Sequence, residues 1–239
     1  MDLKIKDVAS LLNVHETTIR RWLGDGKIPG YKINHQYRFS RSEIENWMIQ
    51  SKIKPLEEGF SSFGEKQIYP PLSDSLEHVS KGGTQNFSLY RAIHQGEVLT
   101  QFPGNTKEEI IRSATRAIAP KLGVDAEVLS ELLLDREKLM PTALNNGIAV
   151  PHTREFLVKG PFDMVVIVFP EKPIEYGALD GLPVHTLFFL FACSDKTHLH
   201  LLAKLAHLCS KADSLDFLSQ KRDKKQMLEY IRQWESQLS

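Results

Sequence analysis

The chain has 239 residues, 41% hydrophobic and 25% charged, with 30 Lys and Arg residues balancing 30 Asp and Glu residues. This is the composition of a globular protein with a substantial core, and the length allows one large domain or two smaller ones. A net charge of zero gives no global attraction to nucleic acid or membranes. No signal peptide is evident, and the longest apolar run, over 187–193, is too short to cross a bilayer. We therefore expect a cytoplasmic protein without membrane insertion.

Residues 1–54 alternate between helical and turn-like patterns. Apolar residues recur at helical spacing in three short stretches, and two short strands stand between the second and the third. The predicted elements are a helix from about residue 5, a tight turn at 13–14, a helix over 16–23, strands over 31–33 and 37–39, and a helix that carries Ile44, Trp47 and Met48.

Specific residues of this segment match a known module. They are Lys6-Asp7-Val8-Ala9, Val14, Thr18-Ile19-Arg20-Arg21-Trp22, Gly26-Lys27-Ile28-Pro29, Tyr37-Arg38-Phe39 and Glu43-Ile44. On these residues the segment resembles the helix-turn-helix module of the excisionase and MerR-like family, which implies a small winged helix-turn-helix domain. The helix starts depart from the family pattern, because Lys4 and His15 stand where Ser or Thr caps are usual.

The same segment carries more basic than acidic residues. In a helix-turn-helix protein the second helix enters the major groove, while side chains on a neighbouring hairpin contact phosphates. We therefore expect DNA binding; the alternative is a solvated charged surface on a small interaction domain. One such module makes few contacts, so useful affinity calls for a homodimer on two half-sites. The candidate DNA-binding residues are Thr17, Thr18, Arg20, Arg21, Lys32 and Arg38.

The regular spacing of apolar residues is lost after residue 51. Gly, Pro and Ser are scattered through polar sequence as far as residue 87, which is typical of a long connection. We interpret residues 55–87 as a linker between a domain over 1–54 and a second domain over 88–239. Residues 72–79 have the composition for one or two helical turns, although a flexible tether is the better interpretation.

The second domain alternates helical patterns with apolar strands. Such alternation favours an α/β layer in which helices flank a mixed sheet, so the chain as a whole is α/β, or α+β when the small first domain is included. The predicted elements are a helix over 107–122 capped by Asn105 or Thr106 and distorted near Pro120, a helix over 126–135, strands over 148–150, 164–169 and 184–190, and helices over 198–210 and 224–234.

One stretch of this domain is a candidate for chemistry. Ile148 to Val150 is predicted to be a short buried strand, with Gly147 before it and Pro151 after it. The proline ends the strand and presents His152 at its end. A rigid turn suits a nucleophile, because the attacking nitrogen must be held in line. The alternative is a histidine in a loop that has no chemical role.

Three blocks of sequence together match a known family. They are Arg136-Glu137 followed by Thr142, then Asn146-Gly147-Ile148-Ala149-Val150-Pro151-His152, then His198-Leu199 with Leu202-Ala203. On these residues, and over roughly residues 88–237, the chain resembles the enzyme IIA domain of the bacterial sugar phosphotransferase system, in its fructose, mannitol and nitrogen-regulatory class.

This resemblance implies a site and a reaction. His152 falls on the phosphorylated histidine and His198 on the second active-site histidine, which hydrogen-bonds the phosphoryl oxygens. An HPr-type carrier protein donates the phosphoryl group, which then passes to a IIB domain or a regulated protein. Catalysis consists of alignment and charge stabilisation, helped by a helix N-terminus at His198. Thr142 offers a hydroxyl, and Arg136 and Arg154 offer charged donors, although Arg136 can equally be a structural ion-pairing residue.

No cofactor or metal is expected. The sequence contains neither Cys-x-x-Cys nor His-Glu-x-x-His. His198 and His200 are two positions apart, so on a helix they face different directions and do not form a joint site. A domain of this kind is a phosphohistidine intermediate in phosphoryl transfer rather than a multi-turnover enzyme, and its classification as an enzyme stays open.

Three functions are compatible with these patterns. The leading one is a phosphotransferase-linked transcriptional regulator, in which phosphorylation of His152 controls the DNA-binding module. The second is a IIA phosphocarrier for a separate sugar permease, with the N-terminal module serving protein contacts. The third is a domain that acts by binding partners without accepting phosphate, which the presence of both His152 and His198 disfavours.

Overall fold

The computed structural model describes residues 2–12, 14–33, 36–51, 88–153, 157 and 162–237. The chain divides into two compact units, Met1–Gly83 with Gln237–Ser239, and Thr84–Ser236. The predicted linker over 55–87, with its possible helical turns over 72–79, lies outside the described residues. Within the described ranges, no helix combines the length and the apolar character needed to cross a membrane.

In its described residues, the N-terminal unit combines three helices with a three-stranded antiparallel sheet of order β1-β3-β2. The predicted helices and hairpin strands are confirmed. Strand β1 was not predicted; it lies beside β3, with Leu3 opposite Phe39. The elements are β1 (Asp2–Lys4), α1 (Ile5–Leu12), α2 (Glu16–Gly24), β2 (Tyr31–Ile33), β3 (Gln36–Ser40) and α3 (Arg41–Ser51).

Helices α1 and α2 begin without hydroxyl caps. The Lys4 backbone N–H donates to the Asp7 carboxylate at 2.9 Å, so an acidic side chain in the first turn replaces a cap. His15 is the extended N-cap residue of α2 and makes no side-chain capping bond. Both starts therefore depart from the Ser or Thr pattern as expected, and packing holds the helices in place. Apolar residues fully buried in this unit are Val8, Ile19, Phe39 and Ile44.

The C-terminal unit is a five-stranded mixed sheet with helices. The strand order is β4-β7-β8-β6-β5; β4 and β7 are parallel, as are β6 and β8, and the other two pairs are antiparallel. The predicted mixed sheet flanked by helices is confirmed. The elements are α4 (Ser88–Gln95), β4 (Val98–Phe102), α5 (Lys107–Leu122), α6 (Ala126–Leu139), β5 (Ala143–Leu144), β6 (Ile148–Ala149), β7 (Met164–Pro170), β8 (Thr186–Phe191), α7 (Asp195–Leu208), α8 (Ala212–Ser219) and α9 (Lys224–Ser236).

The core of this unit is centred on β7 and β8. Every residue of both strands is buried, which explains why their sequences are continuous apolar runs instead of alternating ones. Side chains of α5 and α6 pack against the sheet, with Ile110, Ile118 and Leu133 almost fully buried. Burying one side chain of this size contributes about 1.5–3 kcal/mol.

Helix α5 has the predicted start, and it continues past Pro120. The Thr106 hydroxyl oxygen accepts the Glu109 N–H at 3.2 Å, so Thr106 is the cap. Pro120 lies inside the helix, which continues to Leu122 and ends at Gly123 with φ +65°. Because Pro120 lies in the last turn, its missing N–H costs a single hydrogen bond, and the left-handed glycine closes the helix just beyond it.

Two helix boundaries next to the predicted site differ from the sequence-based ones. Helix α6 runs to Leu139 instead of 135, so that Arg136 and Glu137 are helical and buried. Helix α7 begins at Asp195, three residues before the predicted start, because Ser194 is its N-cap and accepts the Thr197 N–H at 3.2 Å. His198 therefore lies at the end of the first turn instead of at the helix N-terminus.

Candidate functional site

His152 is held at the end of a short strand by its neighbour in the sheet. Strand β6 runs parallel to β8, and the pairing continues beyond β6 as an isolated bridge between His152 and Leu190. The Leu190 N–H donates to the Pro151 carbonyl at 3.0 Å. The backbone of His152 is thus fixed even though Pro151 has no N–H to contribute to the ladder.

The imidazole of His152 has a defined orientation. Its Nδ1 lies 2.7 Å from the Val150 carbonyl oxygen. A carbonyl oxygen can only accept, so Nδ1 carries a proton; in the neutral imidazole the lone pair is therefore on Nε2. This tautomer leaves Nε2 as the nucleophilic nitrogen of a neutral ring.

The ring of His198 lies beside that of His152. The ring centroids are 5.1 Å apart, with an interplanar angle of 62°. The His198 N–H donates to the Ser194 carbonyl at 3.0 Å, which places the residue in the first turn of α7. Both side chains are almost completely buried, with relative exposures of 0% and 2%. The structure thus brings together two histidines that are 46 positions apart in the sequence.

Asp163 fixes the start of α7. One oxygen of its carboxylate accepts the Cys193 N–H at 2.9 Å and the Thr197 hydroxyl at 2.8 Å. Asp163 directly precedes β7, so these bonds join the start of that strand to the helix that carries His198. No local sequence pattern points to Asp163, because its contact with Thr197 joins residues 34 positions apart.

Thr142 is engaged by the neighbouring buried carboxylate. Glu137 accepts the Thr142 N–H at 3.0 Å and also forms a short hydrogen bond with the Thr142 hydroxyl. Burial raises the pKa of Glu137, and the hydrogen bonds from Thr142 oppose that rise. The Thr142 hydroxyl, predicted to face a phosphoryl group, is therefore directed at Glu137 in this structure.

Of the two predicted site arginines, the structure describes Arg136. Arg136 is buried, and its Nη1 donates to the Met140 carbonyl at 3.0 Å, where a cation also complements the C-terminal end of α6. Arg154 lies outside the described residues.

The turn before β6 contains two residues with a left-handed backbone conformation. Asn146 and Gly147 have φ values of +66° and +74°. The Asn146 N–H donates to the Asp180 carboxylate at 2.6 Å, and the Gly147 carbonyl accepts the His185 N–H at 2.8 Å. Asn and Gly are the residues that adopt this conformation most readily, which explains their place in the motif.

The candidate DNA-binding residues lie on two elements of the N-terminal unit. Helix α2 exposes Thr17, Arg20 and Arg21, while Thr18 is half-buried. On the hairpin, Lys32 is exposed and its Nζ lies 4.8 Å from the centre of the Tyr37 ring. Arg38 is half-buried and donates to the Gln36 side chain at 2.9 Å. Arg20 and Arg21 are thus the more available cations of the predicted recognition helix.

The mixed sheet, with His152 at a strand end and His198 in helix α7, agrees with the enzyme IIA class of phosphotransferase proteins. Residues 92–234 match the family described as phosphoenolpyruvate-dependent sugar phosphotransferase system, EIIA 2, and the chain belongs to this family. Residues 3–52 match the family described as helix-turn-helix domain. Both resemblances stated from the sequence are therefore confirmed.

Relatives share the C-terminal part of the chain. The nitrogen regulatory protein of Pseudomonas aeruginosa is 34% identical over 133 residues, which are 54% of this chain and 85% of that protein. The nitrogen regulatory protein of Klebsiella oxytoca is 34% identical over 121 residues, 49% of this chain and 74% of that protein. The crystal structure of nitrogen regulatory protein IIA-Ntr from Neisseria meningitidis has the same fold, with a TM-score of 0.51 at 24% identity, covering 60% of this chain and 94% of that one.

Proposed function

We propose that the C-terminal domain accepts a phosphoryl group on Nε2 of His152 from an HPr-type phosphocarrier, and that the N-terminal module binds DNA. The chain would then be a phosphotransferase-linked regulator of transcription. The observation that carries the first half is the hydrogen bond from Nδ1 of His152 to the Val150 carbonyl, with the His198 ring beside it.

The proposed transfer step uses residues of the site and the phosphorylated carrier. The Nε2 lone pair of His152 attacks phosphorus while the phosphorus–nitrogen bond to the carrier histidine breaks, and that electron pair returns to the carrier imidazole. Nδ1 keeps its proton, and the Val150 carbonyl stabilises the positive charge that the ring gains. His198 donates to a phosphoryl oxygen. Because both rings are buried, transfer requires that Nε2 become accessible to the carrier.

The DNA-binding half rests on the helix-turn-helix match and on charge. Exposed Arg20 and Arg21 lie on the second helix, which in such modules enters the major groove. Phosphorylation adds roughly two negative charges at His152. We propose that this charge changes the DNA affinity or the oligomeric state of the whole chain, which links sugar phosphotransferase activity to transcription.

Labelled phosphoenolpyruvate tests the phosphoryl-accepting half. The full chain is incubated with enzyme I and an HPr-type carrier, beside His152→Ala and His94→Ala, which removes an exposed histidine of α4. Label on the wild type and on His94→Ala, but not on His152→Ala, is the expected result. Equal labelling of all three proteins, or no labelling of any, would count against the proposal.

The regulatory half is tested by DNA affinity. Binding to a pool of random-sequence duplexes is measured for wild-type protein before and after phosphorylation, with His152→Ala treated in the same way. A shift in affinity or stoichiometry in the wild type alone is expected. Identical binding in all four samples would refute the coupling, whatever the outcome of the labelling experiment.

A further inference from the structure

Glu137 is a buried carboxylate that the transfer step does not use. It lies near the C-terminal end of α6 and is 3% exposed. A carboxylate is costly to bury unless its oxygens are hydrogen-bonded. Both oxygens are engaged by one residue, Thr142, through its backbone N–H and its hydroxyl. The Glu137 side chain therefore holds the backbone of Thr142 in place.

That position is connected to the imidazole of His152. The Thr142 carbonyl accepts the Val150 N–H at 3.0 Å. The Val150 carbonyl in turn accepts Nδ1–H of His152 at 2.7 Å. Beyond Thr142 the β5–β6 pairing begins, with Ala143 opposite Ala149. A series of hydrogen bonds therefore leads from Glu137 through Thr142 and Val150 to the imidazole of His152.

Tyr176 and Lys107 also lie close to the Glu137 carboxylate. Tyr176 is fully buried against it, and the nearby Glu137 charge adds to the effect of burial in raising the pKa of the tyrosine hydroxyl well above its usual value. Lys107 lies close enough for its charge to favour the ionised carboxylate. Thr142 is itself fully buried, so loss of the carboxylate would remove the partner of its backbone N–H.

We propose that Glu137 is a positioning residue for phosphoryl transfer: by holding Thr142, and through it the Val150 carbonyl, it keeps the His152 ring in the orientation and tautomer that expose the Nε2 lone pair. This inference rests on the proposed function of His152. In this proposal Glu137 does not contact the phosphoryl group. A reacting atom displaced by a fraction of an ångström loses much of the benefit of alignment.

The test measures the tautomer of the His152 ring separately from the rate of phosphoryl transfer. Imidazole ¹⁵N resonances of His152 are recorded in the unphosphorylated full chain, and the maximal transfer rate and the KM for phosphorylated carrier are then measured. In Glu137→Ala we expect the Nδ1–H tautomer to give way to a mixture, and the maximal rate to fall roughly 10- to 100-fold with little change in KM. Glu137→Gln can still accept the Thr142 N–H, so it should restore both readouts.

Glu235→Ala is the matched control for a purely structural loss. Glu235 is also 3% exposed, and its carboxylate accepts the Leu89 and Tyr90 N–H groups at 3.1 and 2.9 Å. It also pairs with the buried Lys204. This variant should lower stability and leave the His152 resonances unchanged.

Several outcomes would overturn the inference. One is a folded Glu137→Ala protein with the wild-type tautomer and rate; another is an equal change of the His152 resonances in Glu235→Ala. If Glu137→Ala does not fold, Glu137→Asp replaces it, since the shorter side chain keeps the charge but cannot reach both Thr142 groups; wild-type resonances there would also overturn it. If the wild type takes no phosphate, the proposed function is refuted, whereas a change of the His152 resonances in Glu137→Ala but not in Glu235→Ala would still support the hydrogen-bond series.

Discussion

The imidazole of His152 donates through Nδ1 to the carbonyl oxygen of Val150, at 2.7 Å. This contact selects one tautomer, because the carbonyl has no proton to offer. We expect the ¹⁵N spectrum of the unphosphorylated protein near pH 7 to show a protonated Nδ1 and an unprotonated Nε2 for His152. Reversed assignments would contradict the orientation on which the transfer step depends.

Replacement of His198 should slow phosphoryl transfer without abolishing it. The His198 ring is 5.1 Å from that of His152, and removal of one preorganised donor to a developing charge costs roughly 10²–10³ in rate. We expect a loss of that order in His198→Ala, measured by rapid-quench transfer from phosphorylated carrier.

The neighbouring His200 provides the control for this measurement. It lies on the same helix and hydrogen-bonds the Ser88 hydroxyl at 3.0 Å, away from the paired rings. His200→Ala should retain the wild-type rate. Equal rates for His198→Ala and the wild type would remove His198 from the transfer machinery.

Gly147→Ala should destabilise the C-terminal domain more than Gly181→Ala. Both glycines have left-handed φ values, +74° and +68°, where alanine costs about 1–2 kcal/mol. At Gly147 an added Cβ would also lie 2.4 Å from Cδ2 of His185, whereas at Gly181 it would meet open space. Urea unfolding should show the larger loss at Gly147; equal losses would mean that the His185 ring moves aside freely.

The stability difference between E137Q and the wild type should depend on pH. Burial raises the folded-state pKa of Glu137 above 4.5. The stability contributed by this group is therefore fully present below about 4.5 and is lost as pH rises through the folded pKa. Glutamine does not titrate, so E137Q should gain stability relative to the wild type between pH 4 and pH 7, as measured by urea unfolding. A difference that is constant or that falls with pH would contradict this sign.

Arg21→Ala should weaken DNA binding in a salt-dependent manner. Arg21 is exposed on α2, and each phosphate contact contributes about 1 to the slope of log affinity against log salt. We expect lower affinity and a slope reduced by about 1 in a fluorescence titration. Arg232→Ala, which removes an exposed arginine of α9 paired with Glu229, should bind like the wild type. Loss of binding in both variants would indicate a nonspecific effect of charge.

Local signals predicted much of the fold. The Thr106 cap and the apolar spacing of α5 are visible in the sequence, as are the continuous apolar runs of β7 and β8, because each depends on residues close together in the chain. Elements without such signals were not predicted. Strand β1 has three residues and is defined by its pairing with β3, and the short α4 and α8 depend on packing.

The site was predictable only as far as its motifs reach. The proximity of His152 and His198 followed from resemblance, since no local pattern joins them. The hydrogen bond between Asp163 and Thr197 joins residues 34 positions apart, and no local sequence pattern indicates it. Glu137 belonged to a matched block, but its contact with Thr142 depends on α6 continuing to Leu139, four residues beyond the predicted end.

The most direct measurement is a ³¹P and ¹⁵N NMR spectrum of the ¹⁵N-labelled full chain after incubation with enzyme I, an HPr-type carrier and phosphoenolpyruvate. We expect one phosphohistidine, with phosphorus coupled to Nε2 of His152, and no such signal in His152→Ala. A protein that takes no phosphate under these conditions, or takes it on another residue or on Nδ1, would contradict it.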